Sequence, residues 1–223
     1  MPETRHDGTV PTPAEKRHAR AVLRSLHAAY PTIRTALDHA DAWQLLVVTV
    51  LSAQTTDATV NRISPHLFAR YPSPQDLAEA TIEDVEQIVY STGFYRQKAA
   101  AVVALAADLV ERFGGEVPRD LDALTTLAGV GRKTASLVLA EIWGDPTIAV
   151  DTHVKRVSGR LGLTANTDPV KIERDLGALF PRSEWAGLSV RIIQLGRDIC
   201  AAKAPDCANC PLRRSCPWPG KTV

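Results

Sequence analysis

A dominant charge of one sign is missing from this chain. Its 223 residues carry 26 Lys and Arg against 25 Asp and Glu, for a formal net charge of +1. That balance does not announce a nucleic-acid binder. A nucleic-acid partner would need positive charge gathered on one face. Aromatic residues are scarce, at 5 %, so Ala, Val, Leu and Ile must fill most of any core. Long apolar runs are lacking too. The longest, near Leu45 to Leu51, falls far short of the roughly 20 residues a bilayer requires. The opening MPETRHDGTVPTPAEK has no apolar signal-peptide core. These absences predict a cytoplasmic protein with no membrane partner. Cysteine is absent before Cys200, and all four cysteines then fall between Cys200 and Cys216. A disulfide-stapled fold scatters its cysteines, whereas four thiols in one short segment read as ligands of one metal centre.

What is present is ordinary globular composition, 45 % hydrophobic and 23 % charged. The apolar spacing is helical almost throughout. Residues 1–15, rich in Pro, Thr and charge, read as a disordered lead-in. Helices are predicted over 14–30, 43–53, 55–71, 82–89, 96–113, 121–127, 132–143, 152–161, 169–180 and 183–199. Pro72 and Pro74 read as punctuation. A short extended piece is expected over Thr147–Val150. No sheet pattern and no internal repeat is visible, so the fold class is all-α.

The cysteines are spaced Cys200, six residues, Cys207, two, Cys210, five, Cys216. A zinc site commonly uses two C-x-x-C pairs, and here only Cys207 and Cys210 form one. An iron–sulfur cubane, with each iron held by a separate thiolate, tolerates the wider spacing better. Zinc and two disulfides remain the alternatives. Lys203 lies inside the loop, and Arg213 and Arg214 near its end, each either a phosphate contact or a solvated surface charge.

Between two predicted helices runs Leu127-Ala128-Gly129-Val130-Gly131-Arg132-Lys133-Thr134-Ala135. The two glycines permit a turn with positive φ and bring backbone N–H groups close to a ligand. A helix starts here, with unpaired N–H groups and the positive end of its dipole. That combination suits a phosphate and is blind to base identity. A plain helix–turn–helix connection is the rival. Lys133 falls in the first helical turn, where the dipole disfavours a cation. Partial burial there would free a neutral amine able to attack a sugar carbon. An isolated lysine would more simply bind phosphate or face solvent. Asp151, at the start of Thr152-His153-Val154, reads as a helix N-cap. A capping carboxylate can still turn one oxygen outward.

The cysteine spacing, the hairpin and the Val150-Asp151-Thr152-His153 segment together resemble the endonuclease III family, over roughly Arg20 to Trp218. The hairpin is similar to that family's L-P-G-V-G-R-K-T-A, with Ala128 in place of Pro. The resemblance implies a C-terminal four-iron four-sulfur cluster held by Cys200, Cys207, Cys210 and Cys216. It implies two helical lobes. One is a barrel over 36–145 with the helix–hairpin–helix. The other joins 16–35 to 146–223 around the cluster. It implies that Lys133 is the nucleophile and Asp151 the catalytic carboxylate. Gln54 would fill the hole left by an extruded nucleotide, and Phe94, where relatives carry Leu, would wedge the opposite strand. Gly129, Val130, Gly131 and Arg132 would hold phosphate, with His153 and Lys203 as further DNA contacts. Ala204 and Asp206 stand where relatives carry more positive charge, which weakens that loop's grip. The function implied is a monomeric base-excision glycosylase that removes oxidised pyrimidines from double-stranded DNA and cuts abasic sites by β-elimination. The alternatives are a monofunctional mismatch glycosylase on the same fold, against which Lys133 speaks, and a non-catalytic iron–sulfur DNA-binding protein.

Overall fold

The computed structural model describes residues 4–221. Among these the regular structure is entirely helical, as the periodicity requires. The chain divides into two compact units: Thr35–Trp143, and a discontinuous one formed by the residues up to Arg34 together with those from Gly144 onward. Helix α1 (Pro13–Ala29) belongs to the discontinuous unit. Helices α2 (Ala42–Leu51), α3 (Asp57–Arg70), α4 (Pro74–Ala78), α5 (Ile82–Val89), α6 (Tyr95–Phe113), α7 (Leu121–Thr125) and α8 (Arg132–Trp143) make the continuous one. Helices α9 (Thr152–Arg160), α10 (Pro169–Leu179) and α11 (Trp185–Asp198) complete the discontinuous unit.

The continuous unit is organised around α2. Asp41 caps it by accepting the Gln44 N–H at 2.8 Å. Trp43 and every residue from Leu45 to Leu51 are then buried, so this helix has no solvent face. It packs against α3, α6 and α8. Each fully buried leucine contributes about 1.5–3 kcal/mol of transfer free energy, which makes α2 the apolar centre of the unit. Helix α4 was not expected. Pro74 does not break the chain but occupies the first helical position, where the missing N–H costs nothing. Ser73 and Asp76 cap each other's backbone reciprocally.

In the discontinuous unit Ala19, Val22 and Leu26 of α1 share a core with Val154 and Val157 of α9, Ile172 and Leu176 of α10, and Leu188, Ile192 and Leu195 of α11. The lead-in departs from expectation: within residues 1–15, the described part is held in place. The Arg5 N–H donates to the Thr9 carbonyl at 2.8 Å, and the Arg5 guanidinium meets Glu15 at 2.8 Å. Thr12 and Glu15 form a capping box and Pro13 opens α1. The His6 ring reaches buried Asp175 at 3.0 Å. Polar side chains that look solvated in sequence thus find specific partners. The expected extended piece Thr147–Val150 joins no sheet. It buries Ile148 and Ala149 and delivers the chain to Asp151.

Candidate functional site

The hairpin is built by unlike glycines. Gly129 has φ +72°, and a Cβ there would meet Val50 Cγ1 at 3.3 Å and Ala101 Cβ at 3.4 Å. It lets the turn sit directly on α2 and α6. Gly131 has no such φ, and a Cβ there would meet nothing within 4 Å. Positive φ, expected of both, is needed only at Gly129. Gly131 instead leaves open space at the start of α8. Val130 is engaged in the fold: its side chain is buried, and its N–H closes the turn on the Leu127 carbonyl at 3.1 Å. The Val130 amide is thus already used within the turn, while the space beside Gly131 is open. Arg132 and Lys133 are exposed. The partial burial expected of Lys133 is not found, because α8 turns this face outward.

Gln54 and Phe94 share a backbone property. Both are non-glycine residues in the left-handed region, at φ 54° and φ 47°, a conformation that costs on the order of 1–3 kcal/mol and persists only where surroundings impose it. Gln54 is exposed and follows α2. Phe94 is 61 % exposed and opens α6. Beside it the Tyr90 and Tyr95 rings meet in a tilted pair with centroids 4.8 Å apart, and the Arg96 guanidinium lies 5.6 Å over the Tyr95 ring.

In the other unit Asp151 does cap α9. Its Oδ1 accepts the Val154 N–H at 2.8 Å. Its Oδ2 lies 3.1 Å from His153 Nδ1. An ionised carboxylate only accepts, so that histidine nitrogen carries the proton. His153 is half-buried and packed against Gly196, where a Cβ would come within 3.1 Å of its ring. It is therefore first of all the partner of Asp151.

Cys200, Cys207, Cys210 and Cys216 are free thiols lining a single pocket with Arg160, Arg213 and Trp218. The space enclosed, open mouth included, is about 410 Å³. Burial pushes the Cys210 thiol up from its ordinary value, and the other three cysteines add to this, against the Leu212 N–H. Among the described residues no three His, Cys, Asp or Glu side chains are gathered tightly enough for a single ion. Four thiols lining one pocket are a donor set that fits a metal centre. Lys203, Arg213 and Arg214 are exposed, and Ala204 between Lys203 and Asp206 has φ 49°.

Residues 47–182 match the HhH-GPD superfamily base excision DNA repair proteins. The chain belongs to that superfamily. Its HhH-GPD relatives include the protein named Endonuclease III of Synechocystis sp., 46 % identical over 205 residues, 92 % of this chain and 94 % of that protein. Endonuclease III of Bacillus subtilis is 44 % identical over 188 residues, 84 % and 86 % of the two chains. A solved structure of a trapped covalent endonuclease III–DNA intermediate is 41 % identical, with a TM-score of 0.86, over 91 % of this chain and 95 % of that one.

Two features of this HhH-GPD chain escaped the sequence reading. Arg156 and Arg160, one helical turn apart on α9, brace the cysteine loop. Arg156 donates to the Cys200 carbonyl at 3.1 Å and the Gly196 carbonyl at 3.0 Å. Arg160 donates to the Ala201 and Ala202 carbonyls at 2.7 and 3.0 Å and to Cys200 Sγ at 3.2 Å, and lies 4.1 Å over the Trp218 ring. Two arginines at i and i+4 ahead of a carbonyl-rich loop were the available signal. The second feature is Lys98, buried in α6. One lysine in an Ala-rich helix gives no such signal.

Proposed function

We propose that this protein is a base-excision DNA glycosylase with abasic-site lyase activity. It removes oxidised pyrimidines from duplex DNA, acting as a monomer in the cytoplasm on nucleoid DNA. The observation that carries the reading is Lys133: an exposed amine in the first turn of α8, directly after a glycine hairpin open to phosphate at Gly131. A relative of 41 % identity was trapped as a covalent intermediate with DNA, and an amine nucleophile is able to form a covalent bond to a sugar carbon.

In this reading the phosphate backbone lies on Gly131, Arg132 and the start of α8, with Lys203 adding charge. The damaged nucleotide is extruded. Gln54 fills the vacated stack and Phe94 wedges the opposite strand. The Lys133 amine attacks C1′ through its nitrogen lone pair. The C1′–N bond breaks, and the base leaves with the electron pair and takes up a proton. Asp151 receives the proton shed by the amine, or offsets positive charge growing on the sugar. Its two oxygens already accept from Val154 and His153, and a carboxylate has further lone pairs for this role. Ring opening leaves an imine between Lys133 and C1′. Loss of the C2′ proton sends its electron pair into a C=C bond and expels the 3′ phosphate. Water then cleaves the imine and restores the lysine.

Cys200, Cys207, Cys210 and Cys216 would hold a four-iron four-sulfur cluster. Four protein thiolates would leave no iron open to substrate, so the cluster would stiffen the loop rather than bind the reacting nucleotide.

The deciding test is borohydride trapping on a duplex with one thymine glycol. Wild type is expected to form a covalent complex and Lys133→Ala none. A lysine variant that traps as well as wild type removes Lys133 from the chemistry. A wild type that neither traps nor cuts this duplex or an abasic one overturns the lyase reading.

A further inference from the structure

Lys98 lies one helical turn into α6 and is only 6 % exposed. Among the described residues no carboxylate is paired with it. Its Nζ donates to Thr55 Oγ1 at 2.5 Å and to the Thr92 carbonyl at 2.8 Å. The Thr55 hydroxyl donates to that same carbonyl, so both lone pairs of one backbone oxygen are used. Burial holds the Lys98 ammonium below the ordinary lysine range. A buried cation with neutral partners is unfavourable compared with an apolar side chain of equal length. Packing alone therefore does not account for it.

The partners are informative. Thr55 directly follows Gln54, and Thr92 directly precedes Gly93 and Phe94. Gln54, Gly93 and Phe94 all have positive φ. The Lys98 N–H also donates to the Phe94 carbonyl at 3.1 Å, and the Thr92 hydroxyl donates to the Val89 carbonyl at 2.8 Å. One side chain thus ties the end of α2 to the turn that opens α6, each within one or two residues of an exposed, left-handed side chain.

We infer that Lys98 is a latch that locks the Gln54 loop and the Phe94 loop into one rigid unit, so that both side chains enter the duplex together as the damaged nucleotide leaves it. This rests on the function proposed above. Lys98 is a positioning residue: burial keeps its amine away from any sugar, and it acts through Thr55 and Thr92. Locking the two strained loops beforehand spares the ordering that insertion would otherwise require.

The test compares wild type with Lys98→Met, Lys98→Arg and Thr55→Val on two substrates. One carries the lesion in a paired duplex. The other carries it in an unpaired bubble, where no partner base has to be displaced. Lys98→Met is expected to cut the paired substrate about tenfold more slowly in kcat/KM and the bubble within about threefold of wild type. Lys98→Arg recovers most of the loss, and Thr55→Val falls between. Hydrogen exchange should quicken at residues 53–56 and 92–95 together, and not in the core of α2. The latch is overturned if Lys98→Met keeps the wild-type ratio between substrates, or loosens one loop without the other. Should the methionine variant not fold, Thr55→Val carries the same comparison. A wild type that cuts neither substrate overturns the functional reading instead, and the exchange data alone then decide the latch.

Discussion

Asp175 shows what a single carboxylate can contribute when its surroundings are built for it. Burial pushes its carboxyl upward, but hydrogen bonds from Thr164, His6 and Asn166 outweigh this and hold it below the ordinary range. The folded protein therefore favours the ionised form. The unfolded chain takes up the proton near pH 4. The stabilisation is complete above that pH and is lost as pH falls through the lower folded value. Asp175→Asn turns an amide towards two donors and should cost about 1.5–3 kcal/mol at neutral pH. In melting experiments its deficit against wild type should shrink steadily below about pH 4. A deficit that stays constant down to acid would show that the charge plays no part. At this scale, legibility followed from sequence neighbours. Asp151 could be read because a helix must begin beside it, and the cysteines because their spacing is local. Lys98 could not, since its burial depends on Thr55, 43 positions away. Nor could the exposure of Lys133, which depends on how α8 is turned.

Among the elements, the helix–hairpin–helix separates two uses of glycine. Gly129→Ala sets a methyl tightly against Val50 and in contact with Ala101, and imposes a left-handed φ on alanine, costing about 1–2 kcal/mol, or roughly 2–8 °C in Tm for a protein of this size. Gly131→Ala meets no neighbour, so its Tm should match wild type while its affinity for duplex DNA falls about tenfold, a methyl now standing where a phosphate oxygen approaches. Calorimetry and a binding titration at fixed salt check both. Undiminished binding by Gly131→Ala would remove the hairpin as the phosphate site. Helix existence was legible from periodicity, and the all-α class followed. Helix α4 is not legible in the sequence, because Pro72 and Pro74 look like breakers. The Ser73–Asp76 pair that turns the second into a helix start lies in plain sight. The lead-in was lost for the opposite reason: its partner, Asp175, is 169 residues from His6.

For the whole molecule, the telling feature is that one unit is assembled from both ends of the chain. On the ribosome, order of appearance is order of opportunity. Helix α1 emerges first, yet the α9, α10 and α11 residues that cover Ala19, Val22 and Leu26 are made more than a hundred positions later. At about 5–20 residues per second its apolar stripe stays uncovered for on the order of ten seconds, while Thr35–Trp143 already has everything it needs to fold. Chains stalled at increasing lengths should show this unit resisting protease before α1 does. Simultaneous protection of the two would refute the ordering. The first helix made is thus the last to be sheltered, and a chaperone has its clearest claim there.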